Sequence, residues 1–264
     1  MNLRKKYKGV PAGEIKAFLE EKYLQYNTPG FIEKDPVSIP HRFSDTKDRE
    51  ISSFLTATIA WGRRDLILRS AEELMNIMWN SPYEFMLHAS DDEFLNATGF
   101  VHRTFNGSDC LYFLKSLRNI YSQYGSIEDV IAEGMEKRKT LIGGLSWFRE
   151  KFFILPHSIH AEKHFADITR GAAGKRLFMF LRWMIRSDNR GVDFGIWKRI
   201  KPSELYIPLD FHAGNTARKL GLLKRKQNDF KAVEELTAVL REFDPEDPVK
   251  YDFALFGLGI YEKF

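Results

Sequence analysis

Cysteine is almost missing from this chain. Cys110 is the only one, which excludes an internal disulfide, a zinc site built on paired thiolates and a four-cysteine iron–sulfur cluster. Long apolar runs are missing as well. No stretch approaches the ~20 apolar residues that a membrane span needs, and no apolar segment follows the basic start at Arg4, Lys5, Lys6 and Lys8. A cytoplasmic protein with no membrane partner is expected. Glycine (18) and proline (10) are few in 264 residues and fall between periodic segments rather than inside them. The alternation of β-branched residues that marks strands is absent nearly throughout. What remains is 44% apolar and 29% charged, an ordinary globular composition. The expected fold is all-α.

The helical periodicity is explicit in several places. Ile51, Phe54, Leu55 and Ile59 follow helical spacing between Asp45 and Ala60, and Gly62 closes that segment. Leu66, Ile67, Ala71, Leu74 and Met78 mark a second helix. Ser81-Pro82-Tyr83-Glu84 has the residues of a helix start, a Ser cap with Pro in the first turn. Ser108 and Ser126 are expected to cap two more helices. Asp229–Phe243 is amphipathic through Val233, Leu236 and Leu240, and Asp247-Pro248 opens a last helix. A single compact helical unit is expected, with lobes near 51–165 and 1–50 plus 166–264.

Charge is distributed unevenly. From Arg170 to Lys226 there are 14 Lys and Arg against four Asp and Glu, a local net charge of +10 in a chain whose total is +4. Such a concentrated field suits a phosphate backbone, although solvated helix faces give the same count. Within it, the helix from Lys175 to Arg186 carries Leu177, Phe178, Phe180, Leu181, Trp183, Met184 and Ile185 around most of its circumference, so it should be central. The remaining stripe, Lys175, Met179, Arg182 and Arg186, sets three cations on one face. That requires either solvent or an anionic ligand. Gly171 and Gly174 ahead of it allow close backbone approach, as a phosphate-holding turn needs. Farther on, Pro208 keeps the chain extended and Asp210 is the natural N-cap of a helix through Ala213, Ala217 and Leu220 that Gly221 stops.

The stretch IPLDFHAGNTARKLGLL, residues 207–223, resembles the helix-hairpin-helix DNA glycosylase superfamily, which includes endonuclease III and the 8-oxoguanine DNA glycosylases. Members carry a Val-Pro-Val-Asp-Thr-His-like stretch whose Asp is catalytic, and it falls on Asp210. ISSFLTATIAWGRRDLILRSAEEL (51–74) is similar to the paired helices around the family's DNA-intercalating loop. TGFVHRTFNGSDCLYFLKSLRNI (98–120) is similar to its Gly-Phe-then-helix segment, and YDFALFGLGI (251–260) to its last core helix. The family's hairpin text, Leu-Pro-Gly-Val-Gly-x-Lys-Thr-Ala, is matched only loosely by Gly171-Ala-Ala-Gly-Lys175. The 35 residues from Lys175 to Asp210 exceed the interval typical of the superfamily and resemble the archaeal 8-oxoguanine glycosylases. No cysteine cluster follows.

The resemblance implies a two-lobed helical architecture with a cleft between lobes, and a monomeric enzyme of base excision acting on double-stranded DNA, with an attached lyase step and an oxidised purine as a candidate base. It implies no cofactor and no metal. Asp210 would stabilise the positive charge that develops on the sugar as the N-glycosidic bond breaks; its plain alternative is a structural cap. Lys175 is the candidate nucleophile, provided that burial beside Arg176 and Arg182 lowers its pKa; the alternative is a phosphate contact. The turn Trp61-Gly62-Arg63-Arg64 falls where side chains fill the gap left by an extruded base, or is simply a turn with Trp61 packed inward. His212 pairs with Asp210 or a phosphate, or is structural. Backbone contacts are expected from Arg176, Arg182, Arg186, Lys198, Arg199, Arg218 and Lys219. Two other classes fit the composition: a non-catalytic nucleic-acid-binding protein on the same scaffold, and a helical hydrolase of a small metabolite.

Overall fold

A computed structural model describes residues 10–264. Among these residues the chain is helical with no strand, the only β feature being an isolated bridge between His102 and Phe105. The principal helices are α1 (Ala12–Tyr26), α2 (Thr46–Thr58), α3 (Arg64–Ile77), α4 (Pro82–His88), α5 (Gly107–Tyr124), α6 (Ile127–Arg138), α7 (Leu141–Phe152), α8 (Lys175–Ile185), α9 (Phe211–Lys219), α10 (Phe230–Phe243) and α11 (Tyr251–Tyr261). No described helix is long and apolar enough to cross a membrane. The chain divides into two compact units. One is Ile32–Thr169; the other joins the described residues up to Phe31 to Arg170–Phe264. Residues 32–50, grouped with the terminal lobe from the sequence, belong to the central unit, because the turn Pro36–Ser38 packs on α2 and α3.

The central unit is built on an aromatic core. Phe54 of α2, Phe113 of α5, Phe148 and Phe152 of α7, and Phe165 are linked by ring pairs with centroids 4.8 to 6.3 Å apart, mostly edge to face. Such pairs add to the area that they bury. The helix starts follow side-chain capping. Asp45 accepts from the amides of Lys47 and Asp48, and Ser126 accepts from Asp129 N. Two expected caps differ. Ser81 makes no capping bond; the first turn of α4 is instead satisfied by Asp48 of α2, which accepts from Tyr83 N at 2.8 Å. Ser108 lies inside α5, whose cap is Asn106 in a reciprocal box with Asp109.

A buried carboxylate joins three helices of this unit. Glu50 of α2 accepts from the hydroxyl of Tyr121 and from Ile127 N, the first amide of α6. Close approach is equally specific at Gly107, the first residue of α5. A Cβ there would lie 1.8 Å from the carbonyl oxygen of Thr98 and 2.4 Å from its carbon. Gly107→Ala must therefore displace backbone, and a destabilisation of ~2 kcal/mol or more is expected by urea unfolding. Gly99→Ala is the control, since a Cβ at Gly99 meets nothing within 4 Å. Equal midpoints for the two variants would show that α5 can slide away from Thr98 at no cost.

The other unit is organised around α8, whose residues from Leu177 to Ile185 are all buried, as its periodicity predicts. Helix α11 packs against α1 and α9. It is more apolar than α8, yet it buries Asp252 beside Phe253, Ala254 and Leu255. Helix α10 begins at Asp229, which accepts from Ala232 N, and its Thr237 hydroxyl accepts from Ile207 N just ahead of α9.

Candidate active site

Two helix starts bring Lys175 and Asp210 together. Gly174 adopts φ 61°, the left-handed region, and lets the chain turn directly into α8 at Lys175. Ile207, Pro208 and Leu209 are buried and carry the chain to Asp210, the N-cap of α9. One carboxylate oxygen of Asp210, Oδ1, accepts from Ala213 N at 2.8 Å. The other, Oδ2, faces Lys175 Nζ at 3.3 Å. The cap therefore uses one oxygen and leaves the second for the amine. The Asp210 side chain is 13% exposed and that of Lys175 35% exposed, so the pair is sheltered but reachable.

The surroundings hold this pair. Asn228 Nδ2 donates to the Asp210 carbonyl at 3.1 Å, and Arg218 Nη2 donates to Asn228 Oδ1 at 2.6 Å. Arg218 also donates from Nε to the Arg225 carbonyl. Its guanidinium thus fastens the segment 225–228 against the start of α9. Asp252 of α11, buried and missed in the sequence, interacts electrostatically with both residues. Burial pushes its pKa up to about 6; Arg182 opposes this, Asp210 adds to it, and Lys175 again opposes it. The electrostatic coupling places Asp252 in the same charged cluster as the pair. The signal available was one acid in the otherwise apolar run YDFALFGLGI.

Arg182 and Arg186 are corrections. The sequence assigned them to DNA, but both are buried and satisfied by carboxylates of their own unit. Arg182 donates from Nε to Asp193 Oδ1 at 3.2 Å and from Nη1 to Asp252 Oδ2. Arg186 meets Asp193, Asp188 and Asp247 at 2.7 to 2.9 Å and donates from Nη2 to the Tyr23 hydroxyl. The anionic ligand that this stripe required is therefore internal. The +10 counted along the segment overstates the field it offers to solvent.

The remaining expected residues fall in two places. Gly171, Gly174, Arg176, His212 and Arg218 lie in the same unit as the pair. Gly171 is exposed with φ 90°, and its carbonyl accepts from Phe230 N. Arg176, beside Lys175, is the cation that burial affects: desolvation pushes its pKa down to about 10. His212 sits on α9 with its ring edge-on to Phe211, and its Cβ would be 2.9 Å from a Cβ at Gly259 of α11. Phe211 itself, directly after Asp210, is 69% exposed.

Trp61, Arg63 and Arg64 belong to the central unit. The indole of Trp61 stacks on the His164 ring at 5.7 Å and meets His102 edge-on, while His102 Nε2 contacts the Trp61 carbonyl at 3.1 Å. Trp61 is packed within its unit, the inward alternative for this turn. Arg63 is exposed and forked onto Asp65 at 2.8 and 3.1 Å. Cysteine chemistry is closed off, since the thiol of Cys110 is buried and its pKa pushed up by desolvation. The one group of imidazoles and carboxylate among the described residues with ligand-like spacing is Asp109, His160 and His164.

A family model described as protein of unknown function (DUF2400) matches residues 35–261, and the chain belongs to that family. No curated protein matches the chain, and no solved structure matches it.

Proposed function

We propose that this protein is a DNA base-excision glycosylase with an attached lyase step, acting at Lys175 and Asp210 on a damaged base in double-stranded DNA. The observation that carries the reading is the meeting of the Lys175 amine and the second oxygen of Asp210, 3.3 Å apart at the starts of two helices. The resemblance of residues 207–223 to the helix-hairpin-helix glycosylases supports the same two roles. An N-cap needs only one oxygen, and here the other is turned to an amine.

The chemistry follows from that placement. Asp210 takes a proton from the Lys175 ammonium and passes it to the departing base, so that it is a carboxylate again as charge develops on the sugar. The neutral Nζ forms a bond to C1′ of the sugar as the bond from C1′ to the base nitrogen breaks, with its electron pair leaving on the base. Asp210, held charged-side-in by the amides of α9, stabilises the positive charge developing on the sugar. Asp210 then takes the second proton from Nζ and delivers it to O4′ as the C1′–O4′ bond opens, which gives a Schiff base. Removal of a C2′ proton then expels the 3′-phosphate and cuts the strand. The start of α8, after Gly174, carries no side-chain cap and suits a neighbouring phosphate. With Arg182 and Arg186 internal, backbone contacts are proposed for Lys175 and Arg176, for Gly171 and Gly174, and for the exposed Arg63.

The test is covalent trapping. Duplexes carrying one lesion each are incubated with the protein and borohydride, which reduces a Schiff base to a stable adduct. At least one lesion is expected to trap, and Lys175→Gln is expected to abolish the adduct. An adduct retained in Lys175→Gln assigns the step to another lysine. Base release without strand cutting in that variant makes water the nucleophile. No product and no adduct from any lesion would overturn the enzymatic reading and leave a nucleic-acid-binding scaffold.

A further inference from the structure

We propose that Asp109, His160 and His164 form a binding site for a divalent transition-metal ion of the zinc kind. The cysteine count leads away from metals, but a site built from imidazole and carboxylate needs no thiolate. The sequence signal was the pair His160 and His164 four residues apart, close behind His157 in HSIHAEKH, a spacing that returns two side chains to one side of a helical turn. Nothing in the Lys175–Asp210 reading bears on this proposal, and all three ligands lie in the central unit.

Each ligand is held by its own local structure. Asp109 is the third residue of α5, where its Oδ2 accepts from Asn106 N at 3.0 Å in the capping box. The box fixes the carboxylate before any ion arrives. His160 stands on a single helical turn, Ile159–Glu162, capped by Ser158. His164 follows immediately; its ring is stacked on Trp61 and meets Phe105 edge-on at 4.9 Å. Two aromatic walls therefore set the orientation of one imidazole, and a capped turn sets the other.

The donor atoms converge. His160 Nδ1 lies 2.9 Å from Asp109 Oδ1, and His164 Nε2 lies 3.2 Å from Asp109 Oδ2. All three ligand atoms fall within 4.8 Å of one another. A zinc ion bonded at ~2.0–2.2 Å to each ligand in tetrahedral geometry would hold them roughly 3.3–3.6 Å apart. The His–Asp pairs at 2.9 and 3.2 Å are already near that spacing, and a separation of up to 4.8 Å between donors closes by at most roughly 1.5 Å through turns of the imidazole rings. Burial adds a reason. The side chains of Asp109 and His164 are each 2% exposed, and a buried carboxylate between two imidazoles gains more from a divalent cation than a solvated one does. His160 is 38% exposed, so a fourth coordination position opens toward solvent on its side. Its Nε2 faces the exposed Lys163 amine.

The competing account is a hydrogen-bonded Asp–His–His triad that fastens α5 to the segment 159–164 with no ion. Calorimetric titration of the chelator-treated protein separates the two. One Zn2+ per chain is expected, with a rise in melting temperature that Mg2+ at the same concentration does not give, because Mg2+ prefers oxygen ligands. His160→Gln, at the most exposed ligand, should bind Zn2+ at least about tenfold more weakly and lose most of the rise. Asp109→Asn, which keeps a capping side chain, should do the same. His157→Gln is the control for neighbouring histidines: His157 contacts Glu162 and the Leu155 carbonyl, and its loss should leave Zn2+ affinity unchanged. The proposal is overturned by failure of the wild-type protein to take up Zn2+ at a one-to-one ratio. It is also overturned by unchanged affinity in His160→Gln, or by a loss in His157→Gln as large as that in His160→Gln.

Discussion

Arg186→Met is expected to cost about 3–5 kcal/mol of folding stability, the range found when one partner of a buried ionic group is removed. Arg186 is 1% exposed at its side chain and lies among Asp188, Asp193 and Asp247, with Tyr23 accepting from its Nη2. Its guanidinium also rests over the rings of Tyr23 and Phe253. Burial alone works against its charge, but Asp193, Asp247 and Asp188 outweigh that and hold its pKa above the ordinary arginine value. Methionine fills much of the volume, takes the arginine from Asp188 and Asp247, and leaves Asp193 to Arg182 alone. Urea unfolding followed by circular dichroism measures the loss, with the slope checked for two-state behaviour. Arg186→Lys should fall between the two, since one ammonium cannot serve four acceptors in a plane. A loss below ~1 kcal/mol in Arg186→Met would mean that the carboxylates find protons or water as readily as they found the arginine.

The second large effect concerns turnover. On a lesion that the protein processes, Asp210→Asn is expected to lower the rate about a hundredfold, the equivalent of ~3 kcal/mol of barrier. Asparagine is as good an N-cap as aspartate, so α9 keeps its start: the amide oxygen replaces Oδ1 as acceptor from Ala213 N. What disappears is the negative charge at Oδ2 opposite Lys175. The variant should melt within a few degrees of the wild type while single-turnover base release collapses. Both measurements on one protein distinguish the roles. Wild-type turnover in Asp210→Asn would reduce Asp210 to a cap, whereas a large fall in melting temperature with proportionate loss of turnover would make the effect structural.

The Arg182–Arg186 stripe shows where sequence reading stops. The 3.6-residue period correctly made α8 central, because burying its apolar residues fixes the helix orientation whatever its neighbours are. The same period identified one polar face and demanded an anion for it. It carried no information on whether that anion came from outside, because the carboxylates that answer it sit at Asp188, Asp193, Asp247 and Asp252, between two and seventy residues away. The capping residues divide the same way. Asp45, Ser126, Asp210 and Asp229 cap helices that follow them directly and were legible, or nearly so, from adjacent text. Asp48 serves α4 across 35 residues, and no local rule anticipates it.

By itself the sequence determined the helical class, the central place of α8 and the helix start at Asp210, since each depends on interactions within a turn or two of chain: apolar period, proline and glycine placement, side-chain caps. The tertiary structure decided which charges face inward, that the Lys175 amine reaches the free oxygen of Asp210, and that Asp252 joins their electrostatic environment. It also brought Asp109 to His160 across 51 residues of sequence, and to His164 beyond it. Those outcomes depend on charges brought within a few ångströms in a medium of low dielectric, where an ionic contact outweighs local propensity, and proximity of that kind is a property of the packed chain alone.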